Sequence, residues 1–359
     1  MTGGAFLLAF IFGAVANKTD FCTMGAVSDW VNMGDFNRMR MWLLAIAVAL
    51  LASSALQLAG VVDLSKSIYP APRFLWLSHI VGGFLFGAGM TLGSGCGSKT
   101  LVRIGGGNLK SVVVYLFLGL AAYMTLRGIL GAFRVGVLEK ASLTFASGQD
   151  LPSLFSAMAG IEKPILAAIL AALIGGAIVA FVYAGREFRA SFDYTLGGVV
   201  TGLVVAGGWY VSGHIGHLAE DPNTLQEAFV ATNTGRMESF SFVAPLAYSL
   251  DYLMFWTDKS RIVTYGIASA AGVIAGSAVY ALATKKFRWE GFRDAEDTGM
   301  HILGGLLMGF GGICALGCTI GQAITGFSTL ALGSIITFVS IVAGSAATMK
   351  WQYWRLSRG

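Results

Sequence analysis

Cys22, Cys96 and Cys318 occupy one position in three related stretches of this chain. The runs GGFLFGAGMTLGSGC (82–96) and GGLLMGFGGICALGC (304–318) both open on Gly-Gly, share an internal glycine at the same place and close on Gly-Cys. GAVANKTDFC (13–22) keeps the same glycine-to-cysteine spacing. GLVVAGGWYV (202–211) keeps the glycine but has Val211 where the thiol would stand. Runs this rich in small residues predict helices that break and restart. A helix restarting after a cysteine points its unpaired N–H groups and the positive end of its dipole at the thiol. That is a place for an anion or a thiolate. Gly95 and Gly97 let a ligand approach the backbone beside Cys96. Lys99 and Arg103 follow one and two turns on, on about the same face. Thr23, Thr319 and Gln322, which follow the other two thiols, and Arg127, inside an otherwise charge-free helix, complete the candidate substrate-binding set. A thiol offers a weak S–H donor and a polarisable surface, which suits an anion with a terminal sulfur, such as thiosulfate. A thiol can also attack a sulfur–sulfur bond, which requires a resolving step.

These residues need elements that hold them in lipid. The chain has 359 residues, of which 55% are hydrophobic and 12% charged, and its mean hydropathy is +0.71. Soluble domains carry about twice that charged share. Residues 42–62, 164–185 and 262–284 are free of charge, and 298–349 contains no Asp, Glu, Lys or Arg. A membrane helix takes about 20 residues. The pattern predicts an all-α polytopic membrane protein and excludes the short alternating strands of a barrel. Long passes are expected near 42–62, 111–133, 164–185, 243–257, 262–284 and 330–350. Broken segments are expected at 3–33, 74–106, 194–217 and 299–327, each as two half-helices meeting at depth, where irregular backbone must be buried or line a cavity. The repeats divide the chain into two pseudo-symmetric halves of one membrane domain, 1–190 and 191–359, each with two broken or re-entrant hairpins. Paired interruptions of this kind point to a transporter binding site. The N-terminus lacks a basic start and a small-residue cleavage site, so it reads as part of the mature protein. The formal net charge of +5 sits mostly at segment ends, where anionic headgroups explain it and nucleic acid is not needed.

At this point the residues carry a resemblance. DFCTMGAVSDW, GSGCGSKTLVRIGGGNL and GGICALGCTIGQAITG resemble the three cysteine motifs of the YeeE/YedE family of sulfur transporters, and the likeness spans nearly the whole chain. It implies an hourglass-shaped, multi-pass protein of the bacterial inner membrane that imports thiosulfate or a related sulfur compound. It also implies that Cys22, Cys96 and Cys318 relay the substrate through S–H···S contacts without covalent capture. A small cytoplasmic sulfur-carrier protein is the partner it suggests. No cofactor and no enzymatic step are called for. Gly106 stands where the family often has an acidic residue.

Other readings stay open on the sequence. A membrane sulfurtransferase would form a persulfide on one thiol, with Cys314 four residues before Cys318 as its only support. A selenium compound would suit the same sites. A soft-metal transporter is permitted by four Cys and 13 Met, although nearby cations oppose it. The plain alternative for each cysteine is a small packing residue, and for Cys314 that reading leads. Arg127, Lys99 and Arg103 equally fit headgroup anchoring. Lys18 and Asp20 are expected to pair locally. His214 and His217 lack an evident third metal ligand. RIGGGNL lacks the context of a phosphate loop, so Gly105–Gly107 reads as a helix stop and Asn108 as the cap of the next helix.

Overall fold

The computed structural model describes residues 1–222 and 225–358. The chain is helical almost throughout. In order it forms α1 (Thr2–Lys18), α2 (Thr23–Ser28), α3 (Asn37–Leu58), α4 (Trp76–Leu92), α5 (Gly97–Gly105), α6 (Leu109–Arg127), α7 (Ile129–Phe133) and α8 (Leu151–Ala159). There follow α9 (Lys163–Ala184), α10 (Arg186–Ala190), α11 (Phe192–Tyr210), α12 (Ala244–Met254), α13 (Tyr265–Ala283), α14 (Ala295–Cys314) and α15 (Leu332–Leu356). Among the described residues strands are confined to two antiparallel pairs of two-residue strands, 73–74 with 143–144 and 217–218 with 228–229. Among the described residues nine stretches are long and apolar enough to cross a bilayer, three of them composite: Thr2–Met33, Trp76–Gly105 and Ala295–Thr329. Leu116, Leu120, Leu173 and Val339 point outward as a lipid-facing surface requires, while Trp42, Phe86, Met90 and Trp209 are fully buried.

Three of the four expected breaks are present, and they share one backbone device. Each first helix ends in a residue with left-handed backbone: Asp20 (φ 51°), Ser94 (φ 56°) and Leu316 (φ 60°). Each of these stands two residues before a cysteine. The next N–H then reaches back five residues in the chain, from Phe21 to Ala16, Gly95 to Met90 and Gly317 to Gly312. This is a Schellman turn, which satisfies carbonyls that the broken helix leaves free. The left-handed conformation costs a residue with a side chain about 1–2 kcal/mol. None of the three is glycine. The glycines around them serve a different purpose.

That purpose is close packing. α4 crosses α14 with Gly82 against Gly311 and Gly89 against Gly304; a Cβ on Gly304 would stand 2.7 Å from the Gly89 carbonyl oxygen. Gly87 lies on Ile341 of α15, and its counterpart in the repeat, Gly309, lies on Leu118 of α6. Between helices in lipid, where burial of apolar surface gives no gain, such backbone contact is a main source of attraction. The helix pairing runs α1 on α13 and α11 on α3, then α4 on α15 and α14 on α6.

Two expectations are corrected. The fourth segment does not break: α11 runs unbroken from Phe192 to Tyr210 and continues as a π-turn, Val211–Ile215. The C-terminal half therefore holds one broken segment and the N-terminal half two. In α11 Gly202 meets Ala45 and Val48 of α3, and Gly208 meets Ser239 and Tyr265, so these glycines pack and do not interrupt. The pass expected at 243–257 is only the 11-residue α12, about 16 Å long and short of a crossing. It starts within one residue of the expected position, after the non-helical segment 239–243, and stops at Met254, where the chain turns.

The α4–α14 crossing gives a direct test. Gly304→Val forces backbone apart and should lower the melting point of the detergent-purified protein by the equivalent of about 1–3 kcal/mol. Gly299→Val, in the same helix but with no atom within 4 Å of its Cβ position, should melt near the wild type.

Candidate functional site

Each of the three repeat cysteines stands at the N-cap of the element that restarts after a break, and two of them cap it with sulfur. Cys22 Sγ accepts the Gly25 N–H at 3.4 Å, at the start of α2. Cys318 Sγ accepts the Gly321 N–H at 3.4 Å, at the start of a π-helix, Thr319–Gly326. Cys96 precedes α5, and its Sγ lies 3.3 Å from Ser98 Oγ. A sulfur in this position satisfies N–H groups that the lipid interior cannot. All four cysteines are free, and none is more than 4% exposed.

Tertiary packing brings the three N-cap thiols together. The Cys96 side chain neighbours those of Cys22 and Thr319, and Cys318 is within electrostatic range of Cys96. Phe242 is wedged among them. Its N–H donates to Cys318 Sγ at 3.2 Å, and a Cβ on Gly97 would stand 2.6 Å from its carbonyl oxygen. So Gly97 is required by Phe242 at least as much as by any ligand. Aromatic rings wall the cluster: Phe12 stacks on Phe242 at 6.0 Å, and Phe21 stacks on Trp42 at 4.7 Å. The hydroxyl of Thr23 is fully buried without a hydrogen-bond partner, and that of Thr319, also fully buried, lies against the Cys96 thiol. An unpaired buried hydroxyl costs about 1–3 kcal/mol, so Thr23 is a candidate donor to a ligand.

The cations brace the breaks. Lys99 Nζ pairs with Asp20 at 2.8 Å, and Arg103 donates to the Ser94 carbonyl at 2.6 Å. Both partners are the left-handed residues themselves. Lys18 pairs with Asp193 at 3.4 Å, so the expected local pair with Asp20 does not form. Gly95 packs on the Lys99 stem. Gln322 is committed at both ends, donating to Ala315 O at 2.5 Å and accepting from Ser334 Oγ at 2.6 Å, and so closes the third break. Arg127 is exposed at the end of α6, beside the Tyr123–Asp251 contact, and is not brought to the thiols. Cys314 packs on Gly82 and faces the Arg134–Glu139 ion pair. His217 pairs with Glu227 at 2.6 Å. Gly107 (φ 96°) and Asn108, whose Oδ1 accepts the Ser111 N–H at 2.9 Å, form the expected stop and cap. Among the described residues no group of three or more His, Cys, Asp or Glu is placed to hold a metal ion.

Two cavities flank the cluster. One, of about 530 Å³, reaches Asp20 and Lys99 and is lined by Arg103, Lys285, Lys286 and Arg288. The other, of about 150 Å³, reaches Ser241 and Gly317 beside Cys318 and is lined by Tyr69, Glu238 and Tyr265. The contributions of Ser241, Phe242, Glu238 and Tyr265 were not anticipated. The alternation in SFSFV (239–243), followed by Pro245, was the available signal of an extended segment ahead of a helix.

A bundle of membrane-length helices, broken at buried thiols between a basic cavity and a tyrosine-lined one, defines a multi-pass membrane protein with a buried thiol cluster. The chain belongs to the sulphur transport family, whose model matches residues 18–347. Among its relatives is the thiosulfate transporter TsuA of Spirochaeta thermophila, 26% identical over 356 residues, covering 97% of this chain and 98% of that one. Another is the thiosulfate transporter TsuA of Escherichia coli, 25% identical over 364 residues, covering 96% of this chain and 87% of that one.

The burial of the thiols predicts a labelling pattern. Maleimide should modify none of the four cysteines rapidly in mild detergent and all four after denaturation, counted by intact mass.

Proposed function

We propose that this chain carries thiosulfate, or a closely related sulfur-bearing anion, across the bacterial inner membrane, handing it between Cys22, Cys96 and Cys318 by non-covalent S–H···S contacts. The observation that carries this reading is the convergence of three N-cap thiols on one buried point between two cavities. The names of the two relatives support thiosulfate as the substrate. The thiol supplies a weak donor and a polarisable contact for the terminal sulfur. The Thr23 and Thr319 hydroxyls are the donors for the anion's oxygens. Lys99 and Arg103 lower the cost of bringing negative charge to the basic mouth.

The reading requires no covalent step and no enzyme activity. Cys314 lies by Arg134–Glu139, so the sequence proximity of Cys314 to Cys318 gives no particular support to a persulfide. A selenium analogue remains a substrate of the same site, since size and polarisability are shared. A small cytoplasmic sulfur-carrier protein is the proposed acceptor of the imported sulfur. The halves 1–190 and 191–359 are taken as repeats of one membrane domain, supported by the exchanged pairing of α1–α13 with α11–α3 and of α4–α15 with α14–α6.

Uptake of radiolabelled thiosulfate into liposomes holding the purified protein tests this. Cys96→Ser should cut the initial rate roughly tenfold or more, as expected for loss of over ~1.4 kcal/mol of passage stabilisation, with little change in melting. Normal uptake by that variant removes Cys96 from the relay. Thr23→Val separates function from stability. It should melt at or above the wild type, because an orphaned hydroxyl worth about 1–3 kcal/mol is removed, yet take up thiosulfate more slowly.

A further inference from the structure

The cavity beside Cys318 contains polar groups that the relay does not use. Glu238 is half-buried in its wall. Its Oε1 accepts three hydrogen bonds, from Asn233 N at 3.1 Å, Thr234 N at 3.0 Å and Thr234 Oγ1 at 2.7 Å. Its Oε2 accepts none, and among the described residues Glu238 joins no ion pair. The one cation of the same wall, Arg134, is bound to Glu139 at 2.8 Å. The charged and titratable groups facing Glu238 are therefore Tyr69, Tyr248 and Tyr265, from three different parts of the chain, together with that neutralised arginine. Tyr265 is 1% exposed and lines the cavity, with its hydroxyl beside that of Ser239. The cavity volume, about 150 Å³, is far above the roughly 10–15 Å³ that admits one water. Residue 238 leads directly into the 239–243 segment that touches Cys318.

We propose that this cavity is an entry subsite for the anion, and that Glu238 binds it in protonated form, donating from Oε2 while the Tyr265 hydroxyl donates beside it. The proposal rests on the thiosulfate reading above. The proton comes from water at the cavity mouth and returns there when the anion moves on; no other bond is made or broken. As a carboxylate, Glu238 would face a divalent anion with no cation between them, and like charges at close range exclude one another. Burial pushes the Glu238 carboxyl up, so the neutral form is reached at milder acidity than for an ordinary glutamate. The sign follows: affinity rises as pH falls through that raised value and is lost above it. Thiosulfate itself stays a dianion over the neutral and mildly acidic range, so the dependence would belong to the protein.

Initial rates of thiosulfate uptake by liposomes holding the full chain, measured against outside pH, decide the matter. The wild-type KM should rise with pH, approaching about tenfold per unit once Glu238 is ionised, as for one linked proton. Glu238→Gln keeps an oxygen for the three donors and presents N–H groups where the acid presented O–H. It should hold a low KM that no longer varies with pH. Tyr265→Phe should raise KM severalfold and leave the pH dependence in place. A pH-independent wild-type KM overturns the subsite without recourse to any variant. So does a wild-type pH profile in Glu238→Gln, or loss of uptake in that variant when its melting is unchanged. If the wild type takes up no thiosulfate at any pH, the substrate reading itself has failed.

Discussion

A polypeptide inside a bilayer must satisfy its own backbone, and this fold breaks that backbone three times at depth. Each break frees carbonyls on one side and N–H groups on the other. The Schellman turns through Asp20, Ser94 and Leu316 take up the carbonyls. Cys22 and Cys318 take up N–H groups with sulfur. What remains is closed from outside: Arg103 bonds the Ser94 carbonyl, and Gln322 bonds that of Ala315. The capping role also explains why the cysteines are so well placed. A thiol that must meet an N–H group has its position set by the backbone, and three such positions packed together give a sulfur-lined point of fixed geometry.

The breaks depend in turn on how closely the helices pack. α4 and α14 meet through glycines at both ends of their contact, and those contacts set the separation of Cys96 and Cys318, which follow directly. Phe242 fills the space left between them. Its backbone acts on both sides, with the N–H on Cys318 and the carbonyl against Gly97. The 239–243 segment thus stands in for the missing fourth break: α11 continues unbroken, and the chain after it supplies extended backbone to the same buried point.

The two sides of the cluster differ in charge. On one, Lys99, Arg103, Lys285, Lys286 and Arg288 outnumber Asp20 and Glu290 in the cavity wall, and anions are concentrated there. On the other, the wall is mostly apolar, with tyrosines, serines, the paired Arg134 and a glutamate that joins no ion pair. The middle carries thiols and hydroxyls and no uncompensated charge, since Lys99 is bound to Asp20. On the relay proposed above, an anion entering by the tyrosine-lined cavity meets polarisable, weak donors at the centre before it reaches the strong fields of the basic mouth.

The sequence alone determined the class of fold, the three thiol positions and the spacing that relates them. It did so because lipid imposes long charge-free runs and because repeats keep their small residues in register. It also placed the Gly107 stop and the Asn108 cap, which are local. It did not determine which residues turn the chain, since left-handed backbone fell on Asp20, Ser94 and Leu316 and not on the neighbouring glycines; local propensity yielded to packing. Nor did it distinguish α11 from its broken counterparts, because glycines that break a helix and glycines that seat one helix on another read alike. The partners of Lys99, Arg103 and Gln322, and the whole of Phe242's part, were settled by contacts between residues far apart in the chain. Only the tertiary structure decides those, because each depends on which buried polar group lies within reach once the helices have met.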